Sequence, residues 1–192
     1  MMSDIKIIQE ETLSDRKYPL KSYTFQRTGS KGQLLKKKNE VYFRPDAVTV
    51  LLVDSVNKKF LLTRQFRLPT YLNGSETGYL VEACAGLIDE GESPEETAHR
   101  EVKEETGYPI RDLKKVASVY TSAGGITEFQ RLYLATYDSN GEHSEGGGLE
   151  EEGEDIELVE ISFDEARDTL QKGEFADAKT IMLLQHYFLN YQ

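Results

Sequence analysis

Between Gly86 and Tyr108 the chain reads GLIDEGESPEETAHREVKEETGY, and the fixed spacing of Gly86, Glu92, Arg100, Glu101, Glu104, Glu105 and Gly107 constrains the fold more than any other feature. With each fixed residue type at roughly 5 to 7% of average composition, seven such positions coincide by chance on the order of once in 10⁸ starts. Ser93 is a natural N-cap, Pro94 takes the first helical position, and Glu96 lies three residues beyond the cap, so a capping box opens a helix. Gly107 and Pro109 end it. Glu101 and Glu105 are four apart with Glu104 beside them, so at about 3.6 residues per turn the three carboxylates share one face. Like charges at that spacing repel. A divalent cation converts the repulsion into a ligand set, and hard oxygen donors suit magnesium or manganese. Arg100 keeps its proton and forks onto a carboxylate such as Glu92, which makes it a structural residue and not a proton carrier. A solvated acidic helix flanked by His99 and Lys103 would explain a generic run of glutamates, but not this spacing.

At 192 residues the chain is long enough for one sizeable core with a small extra lobe. Lys plus Arg at 23 against Asp plus Glu at 34 gives a net charge of −11, which disfavours nonspecific binding to nucleic acid or an anionic membrane. A phosphate-rich ligand would be repelled too, unless metals and local arginines reverse the field. No apolar run approaches the ~20 residues of a membrane helix, and the start, MMSDIKIIQEE, lacks the regions of a signal peptide, so a cytoplasmic location is expected. The lone Cys84 has no internal disulfide partner and sits near the end of an expected buried strand, as a core residue would. His99, His143 and His186 show no ligand spacing.

Residues 3–44 hold alternating Tyr- and Thr-rich segments broken by Gly29 and Gly32, which predict a small antiparallel lobe, and Pro45 marks a boundary. Strands are expected at 47–53, 59–66, 79–85, 116–120, 131–137 and 156–162, with a turn from Asp54 to Lys58. Ser162 with Glu165 repeats the capping-box pattern ahead of a second helix. Asp177 precedes a third, on which Ile181, Leu184 and Phe188 form an apolar stripe. Strands flanked by helices imply a layered α/β domain. Residues 139–149 read as a flexible polar excursion. Gly124 and Gly125 follow a strand end and suit close backbone approach to a ligand, with Glu128 nearby.

The Gly86–Tyr108 segment resembles the Nudix hydrolase signature at every position but the last, where Tyr108 replaces the usual aliphatic residue. Arg-Gln-Phe-Arg at 64–67, Tyr-Leu-Asn-Gly at 71–74, Glu-Ala-Cys-Ala-Gly-Leu at 82–87, Gly-Gly-Ile-Thr-Glu at 124–128 and Asp-Ala-Lys-Thr at 177–180 extend the resemblance over nearly the whole chain. They are similar to the branch of that family acting on nucleoside diphosphate sugars. Ala123 departs from that pattern, which usually carries Pro about fifteen residues beyond the signature.

The resemblance implies a Nudix α/β/α sandwich with a mixed sheet at residues 46–192, plus a small N-terminal antiparallel β lobe at 1–45 serving dimerisation and substrate contact. It implies hydrolysis of a sugar nucleotide at its pyrophosphate with magnesium or manganese, GDP-mannose giving GMP and mannose 1-phosphate. ADP-ribose or a broad range of sugar nucleotides is the alternative substrate class, and a noncatalytic nucleotide-sugar sensor is a reading from a different class. Carried onto this chain, the metal ligands are the carbonyl of Ala85 with Glu101, Glu105 and Glu157. The catalytic set is Arg100, Glu101, Glu104, Glu105 and Glu154. Substrate contacts fall on Tyr18, Lys38, Glu40, Arg67, Ala85, Gly86, Leu87, Glu128 and Lys179. The carboxylate that orients the attacking water stays open among Glu104, Glu128, Glu154 and Glu157. The same resemblance implies a homodimer whose N-terminal lobes cross to the partner, with no nucleic acid or membrane partner.

Overall fold

The computed structural model describes residues 5–149, 153 and 155–191. Contacts divide the chain into two compact units. One comprises residues up to Asp46 together with Tyr120–Phe129, and the other Ala47–Val119 with Gln130–Gln192.

In the first unit, β1 (Ile5–Ser14), β2 (Leu20–Thr28) and β3 (Leu34–Tyr42) form an antiparallel sheet in the order β1-β2-β3. The run Tyr23, Thr24 and Phe25 in β2 favours a strand, and the turn between β2 and β3 falls at Gly29–Gly32, where Gly32 adopts φ 79°. Residues 120–129 join this unit through pairing that no local pattern announces: Tyr42 N donates to Gly125 O at 2.8 Å and Thr127 N to Tyr42 O at 3.1 Å.

The second unit is built on a mixed sheet of β4 (Ala47–Asp54), β5 (Lys59–Phe66), β6 (Tyr79–Glu82), β7 (Cys84–Leu87), β8 (Arg111–Tyr120), β9 (Phe129–Thr136) and β10 (Glu157–Ser162). Its main order is β10-β5-β4-β9-β8, with β6 on β5 and β7 on β4. β4 pairs parallel with β9 and antiparallel with β5. Every residue of β4 is buried, and its side chains alternate between the two faces as strand geometry requires. Val48, Val50 and Leu52 join Cys84, Ala98 and Val102 in one apolar cluster, while Leu51 and Val53 join Phe60, Phe163, Leu183 and Leu184 in the other. Each fully buried leucine contributes about 1.5–3 kcal/mol. Helices α2 (Pro94–Thr106), α3 (Phe163–Lys172) and α4 (Ala178–Tyr191) cover these faces, giving the helix, sheet, helix sandwich expected from sequence.

Several elements differ from expectation in instructive ways. The segment expected as one strand at 79–85 breaks at Ala83, where the chain passes from pairing with β5 to pairing with β4 and the Ala83 N–H is taken by Thr180 Oγ1 at 2.7 Å. A short helix, α1 (Leu68–Leu72), follows β5 with Pro69 in its first turn. Strand β8 begins at Arg111, well ahead of the apolar residues that suggested it. On α4, Leu184 of the expected stripe is buried, but Leu183 and Tyr187 are buried as well, whereas Ile181 and Phe188 are only partly so. Among the described residues no helix is long and apolar enough to cross a membrane.

Candidate active site

Helix α2 carries the functional glutamates because both of its ends are stopped locally. Ser93 Oγ accepts from Glu96 N at 3.3 Å, Glu96 Oε2 accepts from Ser93 N at 2.9 Å, and Gly107 closes the helix in the left-handed conformation with φ 76°. Strand β7 runs against the middle of this helix. A Cβ added at Gly86 would meet the carboxyl end of the Glu101 side chain, so the glycine gives that carboxylate room to lie against the strand. The Ala85 N–H donates to Glu105 Oε2 at 3.3 Å, and Glu105 is 1% exposed.

Arg100 organises the rest. Its Nε and Nη2 donate to the two oxygens of Glu92, both at 2.9 Å, which is the fork expected from sequence. Its Nη1 donates to Glu101 Oε1 at 2.9 Å and Glu104 Oε2 at 3.0 Å, and Nη2 also reaches Leu87 O at 3.2 Å. All five guanidinium donors are thereby used. Hydrogen bonds from Arg100 and then Thr97 pull the Glu92 carboxyl down to about 2, and Glu92 in turn raises the Arg100 guanidinium above its ordinary value.

A second network lies at the β6–β7 junction. Arg67 Nε donates to Glu82 Oε2 at 2.7 Å, and Lys179 Nζ reaches Glu82 Oε1 at 3.4 Å and Asp177 Oδ1 at 2.6 Å. Asp177 caps α4: its Oδ2 accepts from Thr180 N at 2.8 Å and Thr180 Oγ1 at 2.6 Å. Burial opposes the charge of Asp177, but Lys179 and Thr180 outweigh it and hold the carboxyl below its usual value. Glu82 and Asp177 were not singled out from sequence as parts of a network. The signals were a lone charge inside the apolar run YLVEACA and the Asp-x-x-Thr cap.

The other residues implied by the resemblance lie elsewhere. Glu157 opens β10 opposite Arg64 of β5 and forms an ion pair with it at 2.6 Å. Lys38 and Glu40 alternate on one face of β3 in the first unit, and Lys38 lies 3.7 Å from Glu11. Glu128 belongs to that unit too, 3.0 Å from Arg44 Nε, and the Arg44 guanidinium sits 5.2 Å from the Tyr18 ring centre, so Arg44, unnoticed in the sequence, joins the two. Gly124 and Gly125 face open space, with nothing within 4 Å of an added Cβ. Glu154 lies outside the described residues.

The donors suit a hard divalent cation: they are oxygens, two of them flank a backbone strand brought close by a glycine, and one is buried. Among the described residues no three His, Cys, Asp or Glu side chains stand gathered as a metal cluster. Arg100 draws Glu101 and Glu104 to itself, and Ala85 draws Glu105.

Comparison with known proteins places this arrangement. The chain belongs to the Nudix hydrolase family, with residues 43–184 matching the NUDIX domain model. Residues 4–42 match the model described as the GDP-mannose pyrophosphatase NudK N-terminal domain. The chain is 44% identical to the GDP-mannose pyrophosphatase of Pectobacterium atrosepticum over 97% of its length and 95% of that protein's. It is 41% identical to that of Cronobacter sakazakii and 39% to that of Escherichia coli K12, covering 97% of this chain and 96% of each relative. A crystal structure titled ADP compounds hydrolase shares the fold, with a TM-score of 0.74, 23% identity, and coverage of 96% of this chain and 92% of that one.

Proposed function

We propose that this chain hydrolyses GDP-mannose to GMP and mannose 1-phosphate, using magnesium or manganese, as a cytoplasmic homodimer with exchanged N-terminal lobes. The observation that carries the substrate is the match of residues 4–42 to the N-terminal domain named for GDP-mannose pyrophosphatases. The glutamate helix accounts for pyrophosphate chemistry alone, whereas the model matched by residues 4–42 carries the substrate in its description. The exposed Ile5, Ile7, Ile8 and Leu13 of β1 and Leu34 of β3 give that lobe an apolar surface suited to a second copy of the chain.

Glu101, Glu105, the carbonyl of Ala85 and Glu157 would hold the cation, with Glu157 leaving Arg64 to do so. When bound, it would polarise phosphoryl oxygens, neutralise developing charge and lower the pKa of the attacking water. Arg100 keeps the carboxylates of α2 on the strand side of the helix. Arg67 donates through its Nε to Glu82 and would offer its terminal nitrogens to a phosphate. Lys179 adds a second cation beside Glu82, and Gly86 and Leu87 offer backbone to the ligand. Tyr18, Lys38, Glu40 and Glu128 would contact the nucleotide sugar from the first unit. Glu104, Glu128, Glu154 and Glu157 remain the four candidates for orienting water.

The test is product release from GDP-mannose, ADP-ribose, UDP-glucose and dinucleoside polyphosphates, with magnesium, with manganese and with chelator. Metal-dependent preference for GDP-mannose is the expected result. Preference for ADP-ribose would move the substrate and keep the chemistry. Binding without turnover of any compound would replace the enzyme with a sensor.

A further inference from the structure

Two carboxylates of the proposed site, Glu105 among the assigned metal ligands and Glu104 among the candidates for orienting water, lie at the weak end of their helix. Glu104 and Glu105 are followed only by Thr106 before α2 stops, and the last carbonyls of a helix have no intrahelical partner, so terminal turns fray. Gly107 N bonds to Lys103 O at 2.9 Å, but the carbonyls of Glu104 and Glu105 need donors from elsewhere. They receive them from residues 144–148. Gly147 N donates to Glu105 O at 2.8 Å and Gly148 N to Glu104 O at 3.3 Å, while Ser144 N donates to Gly107 O at 3.1 Å. His143 stacks on Tyr108 with ring centres 4.3 Å apart and planes 20° from parallel, which pins the loop beyond the helix end. Ile156 N closes the far side on Gly147 O at 3.2 Å.

Each glycine of the run meets a separate demand. A Cβ at Gly146 would lie 2.6 Å from Glu105 O and 2.6 Å from the Thr106 carbonyl carbon, and Gly147 and Gly148 adopt φ 115° and φ 80°. Any other residue therefore pushes the loop off the helix or strains it.

We infer that Gly146–Gly148 is a positioning element for the reaction: a backbone clamp that fixes the last turn of α2 and thereby the carboxylates of Glu104 and Glu105. The inference rests on the metal reading proposed above. Its test uses Gly146→Ala and Gly148→Ala in the full-length protein. Binding of manganese is followed by electron paramagnetic resonance of the free ion, and kcat and KM are measured for GDP-mannose. Loss of the clamp is expected to weaken manganese binding about 10- to 100-fold, as removal of groups that orient metal ligands does. It is expected to lower kcat with KM little changed. Gly173→Ala is the control: Gly173 caps α3 at φ 71° with nothing within 4 Å of an added Cβ, so its variant carries the backbone strain without touching α2. Its manganese affinity is expected to equal that of the wild type. Unchanged manganese affinity in both clamp variants would overturn the inference alone, as would an equal loss in Gly173→Ala. A wild-type protein that bound no manganese would overturn the metal reading and the clamp with it. Should Gly146→Ala fail to fold, Gly148→Ala, at the longer of the two bonds to α2, still decides.

Discussion

Around Glu82, two cations meet two carboxylates, whereas on α2 a single arginine faces Glu92, Glu101 and Glu104 with Glu105 buried close by. The first network is balanced and well covered, the side chains of Glu82 and Asp177 being 5% and 8% exposed. The second sets four glutamates about one arginine, every donor of which is engaged. A balanced buried network holds the chain in place, because removing one member strands another away from water. An unbalanced one is a local conflict that a bound cation resolves, and such conflicts are expected where a protein gives up stability for function. The first network therefore holds the fold while presenting Arg67 and Lys179, and the second is where we propose that a cation binds.

Glu105→Gln probes the unbalanced network and carries the largest expected effect. Glutamine keeps an acceptor for the Ala85 N–H but removes a charge, so kcat should fall ~10²-fold or more, on the scale of losing a major electrostatic element. The melting temperature in chelator should hold or rise, since like-charge repulsion is relieved. Near-normal turnover would place Glu105 outside the chemistry. Asp177→Ala probes the balanced network. It removes the α4 cap and the nearer partner of Lys179, and should destabilise the protein by about 1–3 kcal/mol in denaturant titration. An unchanged midpoint would mean that this network, too, is not structural. The smallest effect concerns pH. The Glu92 carboxyl titrates at about 2 in the folded chain against an ordinary 4.5. Because the folded value is the lower one, the stability Glu92 lends is present above about 4.5 and is lost as pH falls toward about 2. The difference in melting temperature between the wild type and Glu92→Gln should shrink across that window, and a difference that persists at the acid end would assign it to packing instead.

Helix α2 was legible at both ends and α3 at its start, because the signals are local: Ser93 with Glu96 and Ser162 with Glu165 form the boxes, and Gly107 caps α2, whereas the cap at Gly173 was not read. Strands β4 and β5 were legible from their apolar runs on either side of the turn at Asp54–Lys58. The break at Ala83 was not legible, because it marks a change of strand partner, and YLVEACA reads the same with or without it. Residues 139–149 were expected to be a flexible excursion, yet Ser144, Gly147 and Gly148 hydrogen-bond to the end of α2. Polar, glycine-rich composition is equally compatible with a free loop and a docked one, because the docking uses backbone groups that composition does not describe.

The amino-acid sequence by itself determined which residues form the glutamate helix, which faces of the central strands are apolar, and the acidic chemistry the helix presents, because all three depend on spacing along a few turns or one strand. Only the tertiary structure decided that Arg100 spends its remaining donors on Glu101, Glu104 and Leu87, that Glu157 pairs with Arg64, and that a glycine run secures the end of the helix. The bonds to Leu87, Arg64 and the glycine run join residues distant in sequence, and the neighbouring Glu101 and Glu104 share Arg100 with Glu92 and Leu87, so close approach in three dimensions is what fixes a charge pair or supplies a donor to a helix-end carbonyl.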